Sequence, residues 1–363
     1  PVTEAEVDSV MAVFTLSEDI GGDTHESIAY AVKRTLLSPW FLFRVEVPDD
    51  AEAITQQLLS AHELATRLSY TLWSSQPDDE LRDLADSGDL LDLAVLEEQT
   101  RRMLQDPKAE ALIEGFGAQW LGLADLAEAM PDGTTFPTFN DSLREAMDLE
   151  LRDLIRRSLI GEGTLLDLLT AETSWLEPVL AEHYGVSMTE AGYSAVPGRT
   201  GGGLLTTAAF LTGTSSTTRT SPVRRGHWVL SSLLCEEPPP PPDGVEQEFD
   251  QSEGANTIAE QLAEHRANPA CAGCHDQMDP IGIALETFDG IGLFRSAYDD
   301  GTPIETSGKL PGIGTFTSVA ELAAALSEQP QTHRCMVQKT YTYALGRATG
   351  ADDWPFMAPI EEQ

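Results

Sequence analysis

Residues 271–275 read Cys-Ala-Gly-Cys-His, and this run constrains the chain more than any other stretch. A C-x-x-C-H run is the attachment signature of a c-type haem. Each residue in it has a job. The thiols of Cys271 and Cys274 add to the two vinyl groups of the ring, and His275 serves the iron as proximal ligand. Two other chemistries use a C-x-x-C pair. A zinc site needs two further ligands, and neither a second C-x-x-C nor an H-x3-5-H spacing occurs. A thioredoxin-like redox pair expects a strand–helix–strand setting, which does not surround residue 271. The motif occurs once, so the expected cofactor is one covalent haem c.

Thioether haem is made outside the cytoplasm. The motif therefore implies a periplasmic, cell-surface or extracellular protein, and a chain starting at Pro1 reads as one whose leader is missing. No run approaches the roughly 18 apolar residues of a membrane span. The 363 residues suffice for two or three domains, and the 41% hydrophobic content is periodic enough for a sizeable core. Net charge is −38, from 60 acidic against 22 basic residues. So acidic a surface repels phosphate backbones and anionic lipid, which excludes nucleic acid as a partner. It suits solubility in salt, or docking to a basic redox partner protein. Cys235 and Cys335 remain. In an oxidising compartment they read as a disulfide, and closing so long a loop is worth about 4–5 kcal/mol. Two buried free thiols are the alternative.

Periodicity makes the first two thirds helical. Amphipathic stretches open at Glu4-Ala5-Glu6-Val7 and run from Ser27 to Leu37, stopping near Pro39. Residues 61–73 give another apolar face. Ala109, Leu112, Ile113, Phe116 and Trp120 follow helical spacing after a cap at Asp106-Pro107. Leu143, Met147, Leu151, Leu154, Ile155 and Leu159 mark a helix over 141–160. Gly201-Gly202-Gly203 and the Thr/Ser-rich run 212–221 read as loops, with a helix from Val223 to Leu234 after them. Pro238–Pro242 is a stiff polyproline II spacer and the best domain boundary. Downstream, a helix from Thr257 to Arg266 precedes the haem motif, Asp279-Pro280 ends the attachment helix, and Thr332–Arg347 forms a last helix. The expected domains are a helical segment 1–60, a helical domain 61–192, a loop, helix and linker over 193–242, and a monohaem domain over 243–363. The fold class is mostly α: a helical multi-domain protein with a C-terminal class I-like cytochrome c domain.

A single-haem carrier usually takes a distal Met from the loop before its last helix. Here that loop, 296–330, holds neither Met nor His. Met278 lies on the proximal side and reads as packing. His333 and Met336 sit on the final helix. His183 in the helical part is a distal candidate if that part covers the iron. An open or water-bound iron is the remaining option. His265 reads as a propionate partner or helix cap. Arg266, and Arg224 with Arg225, are guanidinium forks of the kind that pair with propionates. Two protein ligands favour electron transfer; an open distal site permits peroxide or oxygen chemistry.

Several stretches together resemble a known family. They are Leu37-Ser38-Pro39-Trp40-Phe41-Leu42-Phe43-Arg44-Val45-Glu46, Leu68-Ser69-Tyr70-Thr71-Leu72-Trp73-Ser74-Ser75, Thr220-Ser221-Pro222-Val223-Arg224-Arg225-Gly226, and Met278-Asp279-Pro280-Ile281-Gly282 after the haem motif. Glu286, Phe288-Asp289, Gly292, Arg295 and Tyr343-Ala344-Leu345-Gly346-Arg347 complete the pattern. The chain is similar to large exported cytochrome-c-containing proteins of planctomycetes and myxobacteria, built from consecutive domains of unknown function. The resemblance implies export, one covalent haem and a helical multi-domain fold. It also places His183, His265 and Arg295 in the haem environment. The expected function is electron transfer by an exported monohaem cytochrome. A peroxidase-like haem oxidoreductase, and a subunit of an extracellular cytochrome assembly or homo-oligomer, are the alternatives.

Overall fold

The computed structural model describes residues 3–43, 46, 58–161, 163–238, 257–298, 300–310 and 312–361. The chain is mostly helical, with two small antiparallel sheets among the described residues. It separates into two compact units, Pro1–Tyr70 with Ser75–Gln99, and Thr71–Ser74 with Thr100–Gln363.

In the first unit α1 (Glu4–Asp19) and α2 (Thr24–Leu36) pack against each other. Each starts at a capping box, Thr3 with Glu6 and Asp23 with Glu26, which satisfies two orphan backbone donors reciprocally. Helix α3 (Ala61–Trp73) has the bounds that its periodicity predicts, and Ser60 with Glu63 closes its first turn. Asp78 caps α4 (Asp79–Ser87).

The second unit holds the main core. Asp106 Oδ1 accepts from Lys108 N at 2.8 Å, which confirms the predicted cap. The helical stretch that follows widens into a π turn at Ile113–Gly117. Helix α5 (Asp141–Leu159) buries Leu143, Ala146, Met147, Glu150, Leu151, Leu154, Ile155 and Ser158, one continuous 3.6-residue stripe. Around it lie strand β1 (Ser174–Leu176), helix α6 (Pro178–His183) and helix α7 (Ala208–Gly213), with β1 paired to β2 (Gly192–Ser194). Glu150 is a carboxylate on this apolar stripe. Its Oε2 accepts from the Tyr184 hydroxyl at 2.6 Å and from Ala208 N at 3.3 Å. Burial pushes the Glu150 carboxyl above the ordinary carboxylate range.

Helix α7 lies inside the stretch that reads as Gly- and Thr-rich loop. All six of its residues are buried, so no polar face gives it a period to detect. Helix α8 (Pro222–Leu233) follows, with Ser221 as its cap. Beyond Pro238 the polyproline run lies outside the described residues. Helices α9 (Ile258–Arg266) and α10 (Pro269–Ala284) form a hairpin, and α10 packs along α8. Two glycines permit that approach: a Cβ on Gly226 would strike the carbonyl of Met278, and one on Gly282 the carbonyl of Pro222. A short hairpin, β3 (Gly308–Leu310) with β4 (Gly314–Phe316), leads to α11 (Val319–Ser327) and α12 (Pro330–Leu345), which stops at Gly346 with φ 64°. Cys235 and Cys335 are joined by a disulfide, as expected, tying the end of α8 to α12. Trp120 Nε1 donates to Ser232 O at 2.8 Å beside it. Among the described residues no helix is long and apolar enough to cross a membrane.

Two outcomes follow from these contacts. Gly282→Ala forces backbone against backbone, where no rotamer change gives relief; a loss of about 1–3 kcal/mol is expected on chemical denaturation. Glu150→Gln keeps both hydrogen bonds and removes a charge that burial disfavours. Because the folded-state pKa is raised, the wild-type carboxyl contributes most below the ordinary glutamate range and loses that contribution as pH rises through the raised value. The variant's melting temperature relative to wild type should therefore climb between acid and neutral pH; a constant difference would contradict the burial argument.

Candidate functional site

The site grows from the α9–α10 hairpin. Thr257 caps α9 with a capping box through Glu260. Ile258 and Leu262 then pack on Ile283 of α10, with Val223 and Tyr298 against them. Only Ala267 and Asn268 separate the helices, and the Asn268 carbonyl accepts from both Cys271 N and Ala272 N. Cys271, Cys274 and His275 thus occupy the first turns of α10 at i, i+3 and i+4, on one face. Both thiols are free and half-buried. Gly273 between them is exposed, and a Cβ there would meet nothing within 4 Å.

His275 is oriented from below. Its Nδ1 lies 2.9 Å from Oδ1 of Asp279, one turn on. The Asp279 side chain is fully buried, and its Oδ2 accepts from Arg266 Nη1 at 2.9 Å. A carboxylate only accepts, so Nδ1 carries the proton and Nε2 keeps its lone pair. That is the tautomer a metal-ligating histidine needs. The His265 ring stands edge-on to His275, with centroids 4.5 Å apart. Burial, and then the neighbouring His275, hold the His265 pKa below the usual histidine range. The donor set fits a covalently held haem on this side of α10. Among the described residues no group of three or more His, Cys, Asp and Glu is placed to hold a metal ion.

Pro280 corrects one expectation. Asp279-Pro280 does not end the attachment helix; α10 runs through Pro280 to Ala284. Proline removes the bond to the carbonyl four residues back. Here that residue is Asp276, which is exposed. The same continuation keeps Asp279 helical and aims it at His275. The i, i+4 spacing of the two residues is the sequence signal for this pair.

The other predicted residues divide. His265 and Arg266 gather with Cys271, Cys274 and His275. Arg295 does not: its Nε donates to the Glu286 carbonyl and its Nη2 to Glu286 Oε2, both at 2.9 Å. Arg224 and Arg225 also turn inward, a second correction. Arg224 donates to the carbonyls of Ser215 and Gly213. Arg225 is fully buried and donates to the carbonyls of Leu285, Phe288 and Asp289 at 2.6, 2.9 and 2.8 Å. With Glu286 3.7 Å away, it clamps the turn that leaves α10. Burial pulls the Arg225 pKa down to about 10. His183, at the end of α6, spends Nε2 on the carbonyl of Ile291 at 2.9 Å. His333 spends Nε2 on Ser327 O at 2.7 Å, while Met336 and Met278 are buried in packing.

Arg225→Ala leaves Glu286 buried beside one fewer cation and takes a donor from three carbonyls. The expected loss is about 3–5 kcal/mol in chemical denaturation; a loss under about 1 kcal/mol, the value of an ordinary hydrogen bond, would refute the clamp.

Comparison with known proteins places four family models along the chain in succession, each described as a protein of unknown function. They are DUF1595 over residues 1–46, DUF1592 over 59–186, DUF1588 over 201–298, and DUF1585 over 314–363. The DUF1588 match contains the C-x-x-C-H run and helix α8, along which α10 packs. No curated protein and no solved structure matches the chain. The chain thus carries the consecutive domain set of the planctomycete type that is associated with cytochrome c.

Proposed function

We propose that the protein is an exported monohaem c-type cytochrome that transfers electrons. One observation carries this reading: Cys271, Cys274 and His275 share a helix face while Asp279 takes Nδ1 of His275 and leaves Nε2 available. The two thiols would anchor the ring by thioether bonds, and His275 would be the proximal ligand. When bound, the haem supplies a one-electron iron couple. The α9–α10 hairpin and helix α12, which a further helix Trp354–Glu361 follows, are consistent with a class I-like cytochrome c domain in the C-terminal part. Export is supported by the Cys235–Cys335 disulfide, a bond that persists in oxidising compartments. The net charge of −38 favours a basic redox partner.

A second reading is a haem oxidoreductase with an open distal position. It is favoured by the engagement of His183 and His333 with backbone carbonyls and the burial of Met278 and Met336. The spectrum of the purified holoprotein separates the two. Low-spin iron indifferent to cyanide, carbon monoxide and peroxide is expected for the carrier. High-spin iron that binds them would sink it in favour of the oxidoreductase. Both readings require haem that survives a denaturing gel and is lost in Cys271→Ala/Cys274→Ala; wild-type chain without it would dispose of both.

A further inference from the structure

We infer that Asp279 is the positioning residue of the proximal histidine and, through the His275–Asp279–Arg266 chain, sets the reduction potential of the site. The inference rests on the proposed haem reading and goes beyond it by assigning the tuning group.

Three observations support it. First, Asp279 is fully buried, and both of its oxygens are used, Oδ1 by His275 Nδ1 and Oδ2 by Arg266 Nη1, each at 2.9 Å. Removing a carboxylate from water costs several kcal/mol unless partners restore its interactions, so a buried carboxylate in this position has a definite task. Second, the acceptor on Nδ1 is an anion rather than a backbone carbonyl. A carboxylate draws the Nδ1 proton toward itself and makes the imidazole a stronger donor at Nε2. A stronger axial donor favours ferric over ferrous iron and lowers the potential. Third, Arg266 opposes this from the other side. Its charge-assisted bond withdraws density from the same carboxylate, so the potential reflects a balance between the two. Asp276 provides an internal control. It is exposed, carries the same charge, and sits 3.9 Å from Arg266 without touching His275.

The two substitutions therefore move the potential in opposite directions. Asp279→Asn keeps the shape and removes the anion; the midpoint potential of the full-length holoprotein should rise by at least a ten-fold change in the equilibrium, about 59 mV for a one-electron couple. Arg266→Gln frees the carboxylate to pull harder on Nδ1, and the potential should fall. Asp276→Asn should change it far less than Asp279→Asn. Haem staining on a denaturing gel comes first. Wild type without covalent haem would overturn the underlying function. Wild type with haem, and an Asp279→Asn potential that stays put or moves no further than that of Asp276→Asn, would overturn the inference alone. If Asp279→Asn does not load haem, Arg266→Gln decides: a fall supports the coupling, and an unchanged or raised potential overturns it.

Discussion

The placement of the haem motif depends on backbone meeting backbone. Helices α8 and α10 approach so closely at Gly226 and Gly282 that a single methyl group at either would strike a carbonyl. Contact of this kind has no side chain to adapt, so it sets the height and rotation of α10 against α8. Arg225, adjacent to Gly226, then secures the far end by donating into the turn after Ala284. The apolar contact of Ile258 and Leu262 with Ile283 holds α9 against that same end. Cys271, Cys274 and His275 lie toward the opposite end of α10, half-buried.

The interior of the second unit is more polar than its helical patterning suggests. Glu150, Arg225, Asp279 and Glu286 are all buried. Each is held by named partners: Tyr184 for Glu150, backbone carbonyls for Arg225, His275 and Arg266 for Asp279, Thr220 and Arg295 for Glu286. Such groups add little net stability over apolar replacements, but breaking one leaves an uncompensated charge. The disulfide closes this part of the chain from outside, joining α8 to α12 across 100 residues.

Much of the fold was legible because strong periodicity and caps are local. Helices α3, α5 and α8 lie where their apolar spacing puts them, and Asp106 caps as its dipeptide predicts. Helix α7 was not legible, because burial on every side erases the polar face that periodicity detects. Pro280 misled for a related reason. Its local cost is real, but the residue whose carbonyl it orphans, Asp276, is exposed, and α10 continues past it. The arginines were the least readable. A guanidinium fork suits a propionate and a set of backbone carbonyls equally well, and only the fold shows Arg225 and Arg295 facing the turn and Glu286.

The residues proposed to hold a haem were therefore legible in the sequence alone. Attachment chemistry needs two thiols and an imidazole within five positions, and local spacing along one chain segment expresses that completely. The surroundings of the imidazole were decided only in part by tertiary structure. Asp279 faces His275 because one helix carries both at i, i+4, which the spacing signals, whereas the reach of Arg266 to Asp279 depends on the angle of the α9–α10 hairpin. That angle is a product of helix packing, which no local pattern records.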